Sequence, residues 1–310
     1  MTYVERGDRI AVTGATGFVG QTLVRHLADS GFRVIGISER QDPPPGLARW
    51  LDEYVCADLT RGWPDIGNFE GLVHLAGLAA VKGSFDRPQD YLNVNSSMVT
   101  EIFQHLLQAT WRGRAIVVSS GAVYGSENPA IQSAFDENSP VAATSPYVVS
   151  KLLIEIQAEY YRRQGIEALV VRPFNHIGPG QGTGFIVPDL ASKVIAGQPG
   201  SASIAVGNLD SSRDYTDVRD IVRAYSLLLE LRDPSFATYN VCSGSARSGW
   251  EVLEAVCTAL GRPIPPTKVI ADRPIDPEVI TGSSERLRIE TGWEPTITFQ
   301  QSISDFVHSN

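Results

Sequence analysis

Tyr147 and Lys151 stand four residues apart in Ser145-Pro-Tyr-Val-Val-Ser-Lys151, a spacing that puts both side chains on one face of a helix. An ammonium beside a phenol favours the phenolate. Bringing a tyrosine from its ordinary pKa of about 10 toward neutrality takes roughly 4 kcal/mol of differential interaction. Such a pair exchanges a proton near physiological pH, although Tyr-x-x-x-Lys also occurs as an ordinary surface pair. A second group follows the apolar run Ala115-Ile-Val-Val118. There Ser119-Ser-Gly-Ala-Val-Tyr-Gly125 sets hydroxyls at a strand end, and Ser120 can hydrogen-bond a carbonyl that Tyr147 protonates; two serines closing a strand are the plainer alternative. A third group is Val12-Thr-Gly-Ala-Thr-Gly-Phe-Val-Gly20. Gly14 suits a tight turn, Gly17 lets backbone lie against a ligand, and Gly20 lets a helix pack close on a strand. The helix N-terminus so formed is a seat for a pyrophosphate, with G-x-x-G-x-x-G in place of the commoner G-x-G-x-x-G.

These groups need elements to hold them. Arg9-Ile-Ala-Val-Thr13 reads as a strand, Val19, Leu23, Val24 and Leu27 as one face of a helix ending at Gly31, and Phe32 to Ile37 as a second strand. Further strands are expected at Tyr54–Asp58, Gly71–Ala76, Ala115–Val118 and Ala168–Arg172. Helices are expected over 89–110 and from Pro146, capped by Ser145, to about 164. The alternation predicts an α/β fold: a Rossmann-type doubly wound parallel sheet with helices on both faces. Beyond Pro173 the pattern loosens, with a helix near 217–231, a strand near 238–242 and short helices after 243. We expect a dinucleotide-binding domain of 1–172 plus 216–242 and a smaller C-terminal substrate-binding lobe of 173–215 plus 243–310.

The chain has 310 residues, 43% hydrophobic, enough for a large core. Its net charge of -9 argues against grip on nucleic acid or anionic membrane, and leaves small-molecule chemistry. Cys56, Cys242 and Cys257 form no C-x-x-C pair, and the five histidines form no H-x-x-x-H pair, so neither a disulfide framework nor a metal centre is expected. No segment reaches eighteen uninterrupted apolar residues and no signal-peptide pattern precedes the first strand, so the expectation is a cytoplasmic protein.

Taken in order, Gly14-x-x-Gly-x-x-Gly20, His74-Leu-Ala-Gly77, Ser119 to Gly125, Tyr147-x-x-x-Lys151 and Arg172-Pro-Phe-Asn175 resemble the extended short-chain dehydrogenase/reductases that act on nucleotide sugars. The resemblance spans essentially the whole chain. It implies a Rossmann domain holding NAD(P), with Tyr147 as acid/base, Lys151 as its electrostatic partner and ribose ligand, and Ser120 orienting the substrate carbonyl. It further places Gly14, Thr16, Gly17, Phe18, Val19, Gly20, Leu75, Ala76, Gly77 and Asn95 at the cofactor, with Asp58 and Leu59 at the adenine. It also implies a homodimer through helices 89–110 and 146–164; ordinary cover for the sheet is their alternative role.

Within that family, 4,6-dehydratases carry an acidic residue two before the tyrosine of Val-Tyr-Gly. Here that position is Ala122, whose methyl group carries no proton. A reductase or a 4-epimerase with retained NAD remains, with a non-catalytic NAD(P)-binding scaffold as a reading from another class. Phe174 to Gln181, Val206 to Asp220 and Tyr239 to Gly244 are similar to GDP-4-keto-6-deoxy-D-mannose reductases, which make GDP-D-rhamnose; related folds act on dTDP-linked ketosugars. Arg213 and Arg273 are then candidates for the diphosphate, against a surface pairing of Arg213 with Asp214 or Asp217. Asn175 and His176 are candidates for the sugar. The position where NAD enzymes keep an acid for the ribose falls on Ser38. With Arg40 it points to NADP(H), while Glu39 points to NAD(H).

Overall fold

The computed structural model describes residues 3–125, 134–197, 203–270 and 279–309. The first half alternates β1 (Arg9–Thr13), α1 (Phe18–Asp29), β2 (Arg33–Ser38), β3 (Glu53–Cys56), β4 (Gly71–His74), α2 (Val81–Asp86), α3 (Pro88–Gln108), β5 (Arg114–Val118), α4 (Pro146–Arg163) and β6 (Glu167–Pro173). There follow β7 (Asn175–Ile177), α5 (Ile186–Ala196), β8 (Ile204–Val206), β9 (Ser212–Asp217), α6 (Val218–Glu230) and β10 (Thr238–Val241). The chain closes with β11 (Ala246–Ser248), α7 (Gly249–Ala259), β12 (Thr267–Val269), β13 (Val279–Ile280), α8 (Glu285–Thr291) and α9 (Phe299–His308).

Local chemistry explains the main boundaries. The Ser145 side chain accepts from Val148 N at 3.2 Å and Pro146 takes the first helical position of α4, satisfying one orphan amide where another is missing anyway. Gly31 sits at φ +92, the left-handed residue just past α1. β3 and β4 stop at Cys56 and His74, short of the expected Asp58 and Ala76. Residues 75–78 instead leave the sheet and bond to Thr13 and Asn95.

The large sheet runs β10-β6-β5-β4-β1-β2-β3 and every pairing in it is parallel. This is the Rossmann-type doubly wound arrangement. Successive residues serve opposite faces. Ile10 and Val12 join Val73, Ile116 and Val171 under α1 and α6, whereas Ala11 joins Ile35, Leu72, Val117 and Val170 under α3 and α4. Arg114, 1% exposed, bolts the layers together: it pairs with Glu167 on β6 and donates to the carbonyls of Leu228, at 3.0 Å, and Leu229 at the end of α6.

A second core lies beyond the carboxyl ends of the strands. β9 pairs with β7, β11 and β13, and α5, α7 and α9 close over it around Val187, Leu190, Leu253, Val256 and Ile303. The loosened pattern after Pro173 thus conceals three-residue strands and α5. Among the described residues no helix is long and apolar enough to cross a membrane.

Candidate active site

Strand order reverses between β1 and β4, which opens a crevice at their carboxyl ends. Gly14 turns the chain there at φ +66, and a Cβ on it would stand 2.9 Å from the Ala76 amide nitrogen. A Cβ on Gly20 would lie 2.1 Å from the Gly14 carbonyl oxygen, so only glycine lets α1 start this close to β1. Gly17, the N-cap of α1, has no side chain to satisfy the first-turn amides. Phe18 and Val19 open α1 at this cradle, which fits the pyrophosphate of a dinucleotide. Beside it Thr16 and Ser38 hydroxyls bond at 2.7 Å, Arg40 lies exposed, and its carbonyl accepts from Tyr54 OH at 2.7 Å.

The opposite wall is tied down by buried side chains. Thr13 Oγ1 accepts from the amides of Leu75 and Ala76, each at 3.1 Å, and meets His74 Nδ1 at 2.8 Å. Asn95 Oδ1 accepts from Leu78 N, while Nδ2 donates to Leu78 O and Ser150 Oγ. Both Nδ2 hydrogens are thereby engaged, so Asn95 is a strut that joins the loop after β4 to α3 and α4. Gly77, at φ +154, is pressed against it: a Cβ there would lie 2.9 Å from Asn95 Oδ1.

Ser120, Tyr147 and Lys151 come together at the end of β5. Ser120 caps the short 3-10 turn Gly121–Tyr124, accepting from Ala122 N at 3.2 Å, and its hydroxyl lies near enough to the Tyr147 phenol to pull its pKa down. Lys151 Nζ donates to Val118 O at 2.9 Å and stands 5.9 Å from the Tyr147 ring centroid. Tyr91 meets the same ring edge-on. Burial pushes the Tyr147 phenol above its ordinary pKa, with Ser120 pulling it partly back. Burial also brings Lys151 down to about 8, against the upward pull of Glu155. Among the influences on the phenol, desolvation is the largest and Ser120 opposes it. The raised pKa keeps the phenol protonated, as a general acid must be before it reacts.

Behind this trio lies a network that sequence reasoning missed. Arg172 forks onto Glu155, with Nε at 2.9 Å and Nη2 at 2.6 Å, and donates to Tyr124 OH at 3.0 Å. Tyr124 OH in turn reaches Asn240 Oδ1 at 2.6 Å. The sequence held one signal for it, Glu155 one helical turn beyond Lys151.

Of the remaining site candidates, Asn175 is exposed at the start of β7, and His176 stacks on Phe18 with centroids 6.1 Å apart while its Nδ1 bonds Phe174 O at 3.0 Å. Burial lowers the His176 pKa and leaves the ring neutral. Arg213 donates to Ser212 O on β9, whereas the neighbouring acids are engaged elsewhere: Asp214 with Ser243, Gly244 and Gly282, and Asp217 with Arg219. Asp58 closes its own turn through Thr60 and Arg61, and the Leu59 side chain is buried in the core between sheet and α3. Arg273 lies outside the described residues.

Residues 10–242 match the NAD dependent epimerase/dehydratase family. The chain belongs to that family. It is an extended short-chain dehydrogenase/reductase with an NAD(P)-binding Rossmann core. One relative is the GDP-6-deoxy-D-mannose reductase of Pseudomonas aeruginosa, 32% identical over 305 residues that cover 96% of this chain and 95% of that protein. The structure of RMD from Pseudomonas aeruginosa complexed with NADPH is 31% identical, covers 97% of this chain and 98% of that one, and superposes with a TM-score of 0.81. Thermus thermophilus UDP-glucose 4-epimerase, solved in complex with NAD, is 26% identical over 97% of this chain and 98% of that one, with a TM-score of 0.83.

Proposed function

We propose that the protein is an NADPH-dependent reductase of the C4 ketone of a nucleotide-linked 4-keto-6-deoxyhexose, acting on GDP-4-keto-6-deoxy-D-mannose to give GDP-D-rhamnose or on a dTDP-linked equivalent. The observation that carries the reading is the buried Tyr147 gathered with Ser120 and Lys151 at the end of β5. A dinucleotide held at the Gly14–Gly20 turn would supply the hydride for C4. Tyr147 donates its proton to the C4 oxygen, Ser120 holds that oxygen in line, and the Lys151 ammonium stabilises the phenolate left behind. Ala122, where a dehydratase needs an acid, and the likeness to a GDP-6-deoxy-D-mannose reductase support a reduction without dehydration.

On the same reading, residues 1–172 plus 216–242 hold the cofactor, and 173–215 plus 243–310 hold the sugar nucleotide. Arg213 and Arg273 serve its diphosphate, and Asn175 and His176 serve its sugar. Ser38 and Arg40 receive the 2′-phosphate of NADPH. A homodimer through α3 and α4 fits Val149, Ile156 and Tyr160, which expose an apolar stripe on α4, and the setting is the cytoplasm.

The test is loss of nicotinamide absorbance when the protein meets NADPH or NADH with enzymatically prepared GDP-4-keto-6-deoxymannose, and separately with the dTDP ketosugar. Oxidation with either sugar supports the reading and names the base. The likeness to an NAD-bound 4-epimerase supports a second reading, an NDP-hexose 4-epimerase with retained NAD. That enzyme would purify with bound NAD and interconvert hexoses with none added.

A further inference from the structure

One turn beyond the catalytic lysine, α4 carries a carboxylate with no part in the chemistry just described. Glu155 follows Lys151 at i+4, and its side chain is 12% exposed. Ser119 Oγ donates to Oε1, Arg172 Nε to the same oxygen at 2.9 Å, and Arg172 Nη2 to Oε2 at 2.6 Å. Arg172 is itself fixed by Tyr124 OH, which is fixed by Asn240. The carboxylate therefore has one available position. The lysine is anchored beside it: Lys151 Nζ donates to Val118 O, and Val118 and Ser119 are consecutive at the end of β5. A single strand terminus holds the ammonium with one residue and the carboxylate with the next.

We infer that Glu155 is a positioning residue for Lys151: pinned by Arg172 and Ser119, its carboxylate keeps the buried ammonium charged at the end of β5. The inference rests on the reading of Lys151 as the ammonium that serves cofactor and tyrosine. The groups around the lysine leave this task to Glu155. His74, from β4, is held neutral by burial and the lysine's own charge. Tyr147, on α4, and Tyr91, from α3, are phenols. Arg172, from β6, is a cation whose charge Glu155 already matches. Glu155 is the group whose charge raises Lys151 against its burial.

The chain has four lysines, Lys82, Lys151, Lys193 and Lys268, and the other three are exposed. Carbon-13 lysine labelling therefore gives four ε-methylene signals, and the one missing from Lys151→Arg is assigned. In the ligand-free wild type that signal should titrate near pH 8, apart from the other three. In Glu155→Gln it should move down by roughly one pH unit, and in Glu155→Asp by less. NADPH binding, followed by fluorescence, should then weaken several-fold more at pH 8 than at pH 6 in the glutamine variant. Because Glu155→Gln leaves Arg172 unmatched, Glu155→Gln with Arg172→Gln removes both charges and should show the same downward shift. A Lys151 titration unchanged in the glutamine and double variants overturns the inference. The titration needs no cofactor, so a wild type that binds no dinucleotide counts against the proposed function, while the role of Glu155 is still decided by the lysine signal.

Discussion

The Thr13 hydroxyl and the His74 Nδ1 stand 2.8 Å apart across the gap between β1 and β4. Thr13 Oγ1 already accepts from two amides, so its own proton goes to Nδ1, and the imidazole is neutral with its hydrogen on Nε2. Burial, with the Lys151 charge adding, brings the His74 pKa from its ordinary 6.5 to about 3. The unfolded chain therefore binds a proton that the folded one refuses between those two values. The His74 contribution is intact above pH 6.5 and is lost progressively as pH falls toward 3. Urea unfolding should show the wild type losing roughly 1 kcal/mol between pH 7 and 5.5 through this group, and His74→Asn, though weaker overall, should lose less over that interval. Equal losses would remove this account of His74.

Tyr147→Phe keeps the ring and deletes the proton. Turnover should fall about a thousandfold while NADPH affinity stays within about twofold, because a positioned acid contributes on that scale. Ser120→Ala removes the hydroxyl that pulls the phenol's pKa down against burial, so the phenol should titrate higher still, with a drop in rate of roughly ten- to a hundredfold. Single-turnover absorbance traces with each variant decide both.

Gly17 and Gly20 separate binding from folding. Gly20→Ala sets a methyl against the Gly14 carbonyl and should cost roughly 2 kcal/mol, read as a lower denaturation midpoint. Gly17 has φ -73, and an added Cβ there meets only the Gly14 carbonyl oxygen, at 3.2 Å. Gly17→Ala should fold nearly as well as wild type and bind dinucleotide about tenfold more weakly, as calorimetry would show. Equal NADPH affinity in Gly17→Ala and wild type would place the pyrophosphate elsewhere.

The proposed preference for NADPH rests on the end of β2. Ser38→Asp supplies an acceptor for the ribose 2′-hydroxyl and repels a 2′-phosphate, so the NADPH-to-NADH affinity ratio should fall by roughly a hundredfold. Arg40→Ala should lower the same ratio about tenfold through lost phosphate pairing. A ratio unmoved by both variants would refute the assignment of Ser38 and Arg40.

Ile156 is 66% exposed on the outward side of α4. If copies pair through α3 and α4, Ile156→Glu buries an unpaired charge in the interface and yields monomers in sedimentation velocity at micromolar concentration. A wild type that sediments as a monomer ends the proposal.

Whatever depends on neighbours in sequence is legible there. Ser145-Pro146 announces the start of α4, Gly31 the end of α1, and the spacing of Tyr147 and Lys151 the face they share. The glycines of the first turn declare a conformation, and the structure adds the atoms that a Cβ would strike. What stays hidden depends on distant partners. Nothing near Asn95 forecasts Ser150 as its partner, nor does anything near Tyr124 point to Asn240, because the fold alone creates those neighbourhoods. The direction of the Tyr147 shift escapes the sequence for the same reason: the spacing shows the ammonium, and only packing shows how far water is excluded. β7 and β8, with three residues each, are too short for an alternating pattern to declare itself.

The last strand of the large sheet, β10, is drawn from beyond α5, β9 and α6, although its partner β6 is complete at Pro173. During synthesis Ser120, Tyr147 and Lys151, the proposed catalytic trio, have therefore emerged while one flank of β6 is still open and Tyr124 still lacks Asn240. A chain ending at Pro173 would carry the complete Ser120, Tyr147 and Lys151 trio on an unsealed parallel edge, and such a fragment should collect in the insoluble fraction. Competence in this enzyme is thus set by the order in which its segments arrive: the reacting groups come early, and the strand that locks them comes only after the chain has gone out to build the lobe and returned.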